Sequence, residues 1–524
     1  MVRRHRKNLC KCEQAQGKCK HERKALCSVG SLCAFGRRAA LTAVAGLAVA
    51  CGGGGSSVTP PGPTPPPPPP QLVQRISSDT FTNATSQHAT EVEPAAFTHG
   101  ATVVTAFQAG RFFAAGASDI GFATSLDGGN TWTSGVLPGL TNIVSPTSTN
   151  MSASDTAVAF DAAHHVWLIV SLPIPVANFT SAALVSRSND GVVWTNPVLV
   201  APGPNASDKT WITCDDAATS PFFGHCYVEW DDPSAGGVIH VSTSTDGGAS
   251  WGPPQSTVGM GTGLNGQPVV QPNGTVIVPM DDFNEQTVLA FASHDGGATW
   301  TQPSVVSPIV DHFEAGGLRS GPLVSAAVDA SGIVYAVWQD CRFRAGCAEN
   351  DLVLSTSHDG VGWSAPMRIP IDPTTSSIDH FIPGLAVDPS TSGGGAHLAV
   401  TYYYYANTTC TQANCQLFAG AVSFLDGGAT WSAPRTLTGP MSLGWLAQTS
   451  QGLMVGDYIA STFASGRPIA VFASANAPVG NRFDEATYAS LPGIVVARGP
   501  MRSSAGDHPV PGVVRDPGPR PRPR

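Results

Sequence analysis

One short pattern returns six times and limits the possible folds more than any other feature. It runs Ser125-Leu126-Asp127-Gly128-Gly129-Asn130-Thr131-Trp132, then Ser188 to Trp194, Ser244 to Trp251, Ser293 to Trp300, Ser357 to Trp363 and Phe424 to Trp431. The second and fifth copies are one residue shorter, and Phe424 replaces the serine in the sixth. The tryptophans lie 62, 57, 49, 63 and 68 residues apart, the spacing of small units that bury a face only by stacking on their neighbours. The chemistry is that of a tight turn. A carboxylate (Asp127, Asp190, Asp246, Asp295, Asp359, Asp426) can accept hydrogen bonds from backbone N–H groups two or three residues on. The glycines after it permit positive φ, and the indole can begin the next strand and pack between sheets. These six aspartates are therefore expected to hold hairpins rather than to do chemistry.

Around each copy the same runs recur. The third unit shows 211–215, 226–231 and 238–242, and the fifth shows 322–328, 333–338 and 352–355. They are short, β-branched and aromatic, as strands are. With 57 Gly and 44 Pro in 524 residues and only 12% charged side chains, the chain favours a turn-rich all-β protein. The pattern resembles the Asp box of sialidases and related β-propeller proteins, and its copies cover residues 90–435. The resemblance implies a β-propeller of four-stranded blades, with each box joining strand three to strand four. Past the last box come three more strand-like runs (454–460, 468–473, 485–489), and Leu72-Val73-Gln74-Arg75-Ile76-Ser77 offers a fourth. Joining both termini in one sheet closes a ring of seven blades and removes an edge. Six blades is the alternative.

Outside this body the chain divides sharply. Residues 1–50 carry 11 Lys/Arg against 2 acids, and 498–524 carry 6 Arg against 2 Asp. The stretch 51–497 keeps 11 basic and 33 acidic residues, with Lys209 its single lysine. Such a surface repels phosphate backbones, so no nucleic-acid partner is expected. Arg37-Arg38 precede an uncharged run, Ala39 to Ala50, ending at Cys51. It is too short to span a bilayer but suits an export signal. It resembles a bacterial lipobox, which implies Cys51 as the lipidated residue and a lipid anchor as the link to the membrane; a simple secretory signal is the alternative. Residues 1–36 fit neither scheme. Their cysteines and His21 allow a zinc site, and a start assigned too early is the preferred account. The Gly/Pro-rich stretch 51–70 reads as a linker, 71–497 as the propeller, and 498–524 as a disordered tail. In an exported chain the close pairs Cys214/Cys226, Cys341/Cys347 and Cys410/Cys415 suggest local disulfides. A monomer is expected.

If the box turns lie at one end, the loops between strands two and three and the starts of first strands open at the other. There the chain carries Arg111; Asp340, Arg342 and Arg344; Arg319; Asp379 and His380; and Asp457 and Tyr458. By resemblance, sialidases hold a substrate carboxylate with three arginines and use a Tyr nucleophile, an activating Glu and an Asp acid/base. Arg75-Ile76-Ser77 keeps two residues of the family's Arg-Ile-Pro. Where the family has its acid/base Asp, this chain reads Ala109-Gly110-Arg111. The Asp-x-Arg spacing occurs instead at Asp340-Cys341-Arg342. The candidates are thus Asp340, Tyr458 and Glu314 for catalysis, and Arg111, Arg319, Arg342, Asp379 and His380 for substrate. The implied function is an exo-acting, sialidase-like glycoside hydrolase of an exported protein acting on a glycan or glycoconjugate. The alternative is a non-catalytic propeller that binds glycan or protein. No cofactor is required by either. The aspartate pairs 215–216, 231–232 and 281–282 suit Ca²⁺ as a stabilising ion.

Overall fold

The computed structural model describes residues 72–175, 183–202, 207–426 and 430–492, together with 501–502 and 509. The expected export signal, Cys51, the expected linker and nearly all of the expected tail lie outside them. The described chain is antiparallel β-sheet, with five three-residue 3₁₀ turns as its helical content. No helix among the described residues is long and apolar enough to cross a membrane.

Each box sits in one run of four antiparallel strands, here called repeats 1–6 after their boxes. Repeat 1 spans 91–136 and repeat 2 spans 150–199. They share one eight-stranded sheet through a single residue pair, Ala117 with Ala153. Repeats 3 (208–256), 4 (269–308) and 5 (325–368) are separate four-stranded sheets, and repeat 6 (379–442) carries two extra short strands. A seventh sheet has no box. Its strands are Ala460–Ala464, Arg467–Ala475 and Glu485–Ser490, and its fourth is Val73–Arg75 from the other end of the chain. There Val73 faces Ser490 and Arg75 faces Tyr488, so the N-terminal strand pairs with the last sheet as its sequence suggested. The first strands touch in order from repeat 1 through repeat 6 to the boxless sheet, whose first strand touches that of repeat 1.

The box turns follow from their residues. In repeat 1 the Ser125 hydroxyl donates to Asp127 (2.8 Å) and accepts from Gly129 N–H (2.7 Å). Asp127 accepts from the N–H groups of Asn130 and Thr131 (3.0 and 2.9 Å). The donors stand three and four residues on in this eight-residue copy, and two and three on in the shorter copies, at Val192 and Val193 for Asp190. Gly128 and Gly129 take φ of 71° and 91°, which a side chain would resist. The indole precedes the fourth strand in every repeat, and in repeat 6 it falls in the short extra strand Thr430–Trp431 before Arg435–Ser442. Between sheets the odd and even faces alternate. In repeat 3, Val228 and Trp230 pack toward repeat 2, while Tyr227 joins Val278, Phe291 and Trp300 of repeat 4. Trp300 meets Tyr227 and Phe291 edge-on at 6.2 and 5.5 Å, geometry worth roughly 0.5–1.5 kcal/mol per pair beyond area burial. The disulfides Cys214–Cys226, Cys341–Cys347 and Cys410–Cys415 are formed.

Candidate functional site

Four first strands slip register near their start: between Val92 and Ala95, Ser154 and Thr156, Asp208 and Trp211, and Phe381 and Gly384. Inside each slip stands a non-glycine residue with positive φ: Glu93 (58°), Asp155 (31°), Lys209 (49°) and Ile382 (49°). A bulge of this kind re-aims the side chain and stores strain, so it marks a place where the backbone is held by its surroundings. Three of the four carry charge, and they meet.

Asp457, just before the boxless sheet, is the hub. Its carboxylate accepts from the Lys209 ammonium of repeat 3 and from the Arg319 guanidinium that precedes repeat 5. Its N–H donates to Glu93 of repeat 1 (3.0 Å), and Lys209 Nζ stands 3.9 Å from the same Glu93 oxygen. Lys209 N–H donates to Asp155 of repeat 2 (3.1 Å). Arg111 Nε donates to the Met454 sulfur (3.2 Å), which the Arg319 guanidinium also approaches, and Arg111 Nη1 donates to Gly116 O. Segments from repeats 1, 2, 3, the approach to repeat 5 and the boxless sheet thus converge on one buried charge cluster. Arg319, with 18% of its side chain exposed, is a solvent-facing member.

Burial and charge split the ionisation of this cluster. Burial pushes the Glu93 carboxyl up to about 7; Lys209 opposes this, while Asp457 and Asp155 add to it. Asp208 is likewise raised to about 7 by burial and then by Asp155. For Asp457 burial acts upward, but Arg319 and Lys209 outweigh it and hold the carboxyl well below its usual range. Arg111 falls to about 10 through burial and the charge of Arg319. The cluster therefore contains a carboxyl that exchanges its proton near neutrality beside one that stays ionised, the pairing that acid/base chemistry requires.

The residues expected from sequence fall in several places. Arg111 and Arg319 are in the cluster. Tyr458 lies beneath it, but its hydroxyl accepts from Thr156 N–H (2.8 Å) and donates to Thr156 O (3.1 Å), and burial raises its proton affinity far above that of a free phenol. Arg342 forks onto Asp340 (2.8 and 2.6 Å) and Ser307 (3.1 Å), bracing the loop closed by Cys341–Cys347. Glu314 accepts from Gln339 (2.6 Å), Asn350 (3.1 Å) and the Ser320 hydroxyl. Asp379 accepts Asn350 N–H (2.7 Å) and lies 3.3 Å from His312. Gln339 links this second network to the Ile382 bulge (3.0 Å). His380 meets Tyr402 edge-on (5.5 Å) and Tyr404 at a tilt (6.2 Å), near Asp351 and Asp372. Those three are the one group among the described residues whose potential metal-ligand atoms lie within 4.8 Å of one another. Arg344 and Arg368 already fork onto both carboxylates, at 2.5–2.9 Å, so two positive charges balance two negative ones. A further cation there would leave positive charge buried without a partner.

Asp155 is a member that the sequence pattern did not single out. The usable signal was a lone charge inside a strand otherwise without any, Asn150–Asp161 up to its last residue.

No family model matches the chain, and no curated protein matches it. Solved structures similar to it include a protein of unknown function from Dyadobacter fermentans (14% identity, 67% of this chain and 99% of that one, TM-score 0.41). Others are the NanB sialidase of Streptococcus pneumoniae (12%, 81% and 71%, 0.39) and an alpha-L-arabinanase of Penicillium chrysogenum (12%, 80% and 98%, 0.40).

Proposed function

We propose that the chain is a seven-bladed propeller that acts on an acidic glycan as an exo-acting, sialidase-like glycoside hydrolase. The pairing of Val73–Arg75 with Glu485–Ser490 and the unbroken succession of touching first strands support seven blades and a closed ring. One observation carries the chemistry: Glu93, poised near neutrality, stands beside ionised Asp457 at a cluster that Arg319 opens to solvent. In this reading substrate binding at Arg319 uncovers Glu93, which is buried and accepts from Gln108 in the free chain, and Glu93 donates a proton to the leaving sugar oxygen. Arg319 receives the substrate carboxylate, which competes with Asp457 for its fork. Asp340 and Arg342 serve as a loop brace, and Tyr458 as a wedge between repeats rather than a nucleophile. Three formed disulfides fit an oxidising compartment, which supports export and anchoring through Cys51.

The test is hydrolysis of a panel of fluorogenic glycosides, sialosides and uronides included, by the purified chain. Glu93→Gln should lower kcat by about 10²–10⁴-fold, the usual cost of a lost general acid. Arg319→Ala should raise KM for acidic substrates and leave neutral ones unaffected. A second reading, a non-catalytic glycan- or protein-binding propeller, is favoured by how fully the hydroxyl of Tyr458 and the donors of Arg111 are spent inside the fold. No turnover across the panel, with acidic sugars still bound in calorimetry, decides for that reading; neither turnover nor binding rejects both.

A further inference from the structure

A second group of acids lies one strand away, between repeats 3 and 4. Glu229 and Asp231 alternate on the strand Cys226–Asp232, so both point to the face opposite Val228 and Trp230, toward repeat 4. Both are fully buried. No donor among the described residues reaches any of their four carboxylate oxygens. Asp208 stands directly across the strand pair from Asp231, and Trp211 across from Glu229. The neighbouring cation, Lys209, gives its ammonium to Asp457 instead. On the repeat 4 side the wall is Gly266: a Cβ there would come within 2.6–2.8 Å of the carboxyl carbon and oxygens of Glu229. The glycine leaves a cradle around a carboxylate that has nothing to bond.

Buried acids elsewhere in this chain do not look like this. Asp351 and Asp372 carry two arginine forks. Among the adjacent aspartates, Asp215 accepts Ala217 N–H (3.1 Å), Asp216 accepts Ala162 N–H (2.8 Å), Asp232 caps Ser234 and Ala235, and Asp282 takes Gln286 and Thr287 N–H (2.6 Å each). Their lone pairs are used by the backbone. Two carboxylates in a dry interior without donors require either protons or a cation.

We propose that Glu229 and Asp231 bind a divalent cation of the calcium type between repeats 3 and 4. The donors are carboxylate oxygens, without Cys or His, which suits Ca²⁺ rather than zinc or copper, and calcium's flexible coordination tolerates a strand-borne pair better than magnesium's strict octahedron. The ion fastens two neighbouring sheets and offsets the negative charge beside the axial cluster. This is independent of glycoside hydrolysis.

The test uses the full, oxidised chain. After dialysis against trace CaCl₂, mass spectrometry of the metal content should find one calcium per chain, and EGTA should lower the melting temperature by several degrees, restored by CaCl₂ but not by MgCl₂. Asp231→Asn and Glu229→Gln should each lose that response, whereas Asp282→Asn should keep it. Should either variant fail to fold, terbium serves in the unaltered chain. Trp211 sits opposite Glu229, so excitation of tryptophan should yield terbium emission that calcium displaces. No bound calcium and no terbium emission would overturn the proposal. So would a melting temperature that ignores calcium but falls as pH rises, with Glu229→Gln raising it, because the acids then hold protons.

Discussion

The same side chain is used in opposite ways at the two ends of repeat 1. At the box, Asp127 lies exposed; the hydroxyl and N–H of Thr131 and the hydroxyl of Ser125 hold its carboxyl down to about 2. At the other end, burial lifts Glu93 and Glu91 each to about 7. The box carboxylate is stabilised by donors within four residues of it, so the device can be copied six times without regard to its neighbours. The axial positions cannot be copied. Glu93, Asp155 and Lys209 occupy comparable bulges in successive repeats, yet each is a different residue, because each complements a partner from another repeat. Repetition builds the sheets, and departure from repetition builds the charge cluster.

The harshest way to break that contrast is Asp457→Asn. It leaves the Lys209 ammonium and the Arg319 guanidinium buried beside each other without their shared anion. Removing one partner from a buried ion pair typically costs about 3–5 kcal/mol, and urea denaturation should show a loss of that order. A loss under about 1 kcal/mol would mean that the cluster is solvated like a surface pair.

Next in size is the disulfide Cys214–Cys226, at the box end of repeat 3. Its 12-residue separation corresponds to about 3 kcal/mol of chain entropy. Replacing both cysteines with serine should cost that much while leaving the axial titration unchanged, a separation of the two ends that pH-dependent melting can check.

This division also explains what could be read from the chain. The boxes, their hairpins, the three disulfides and the strand Val73–Arg75 that completes the last sheet all follow from residue type at short spacing or from strand alternation. The cluster does not. Arg111 and Arg319 could be placed at the right end, but their meeting depends on Met454 and Asp457, more than 130 residues from either. Asp340 and Arg342 drew attention by a family spacing, and that spacing is equally what a two-residue loop needs to fork an arginine onto its own aspartate. Local pattern cannot tell a brace from a catalytic pair, because the difference lies in what comes near from other repeats.

A smaller effect concerns pH. Glu91, Glu93 and Asp119 each have a carboxyl raised to about 7, in every case chiefly by burial. Between the ordinary carboxylate range and about 7 the folded chain therefore binds more protons than the unfolded one, so stability is full below that window and falls as pH rises through it. Melting temperature should decline from about pH 5 to about pH 8, and Glu93→Gln together with Glu91→Gln should flatten the decline. The box predicts the reverse sign. With its carboxyl lowered, Asp127 contributes stability above the ordinary aspartate range that is lost as pH falls toward about 2. A profile that rose steadily to alkaline pH would mean that the axial acids are not held protonated.

The gentlest change tests whether the boxes are as independent as their repetition implies. In repeat 4, Asp295 accepts from the Ser293 hydroxyl (2.9 Å), Thr299 N–H (2.9 Å) and the Thr299 hydroxyl (2.5 Å). Asp295→Asn keeps an acceptor and the shape but gives up the charge, in a turn that faces water. The expected loss is below about 1 kcal/mol, since solvent screens an exposed carboxylate and the remaining hydrogen bonds are neutral ones. The same exchange in any other eight-residue box should cost a similar amount, and two together should add, because turns in different sheets share no partner. A double variant that loses much more than the sum would mean that the turns brace one another from sheet to sheet, and the contrast between a modular end and a cooperative end would have to be given up.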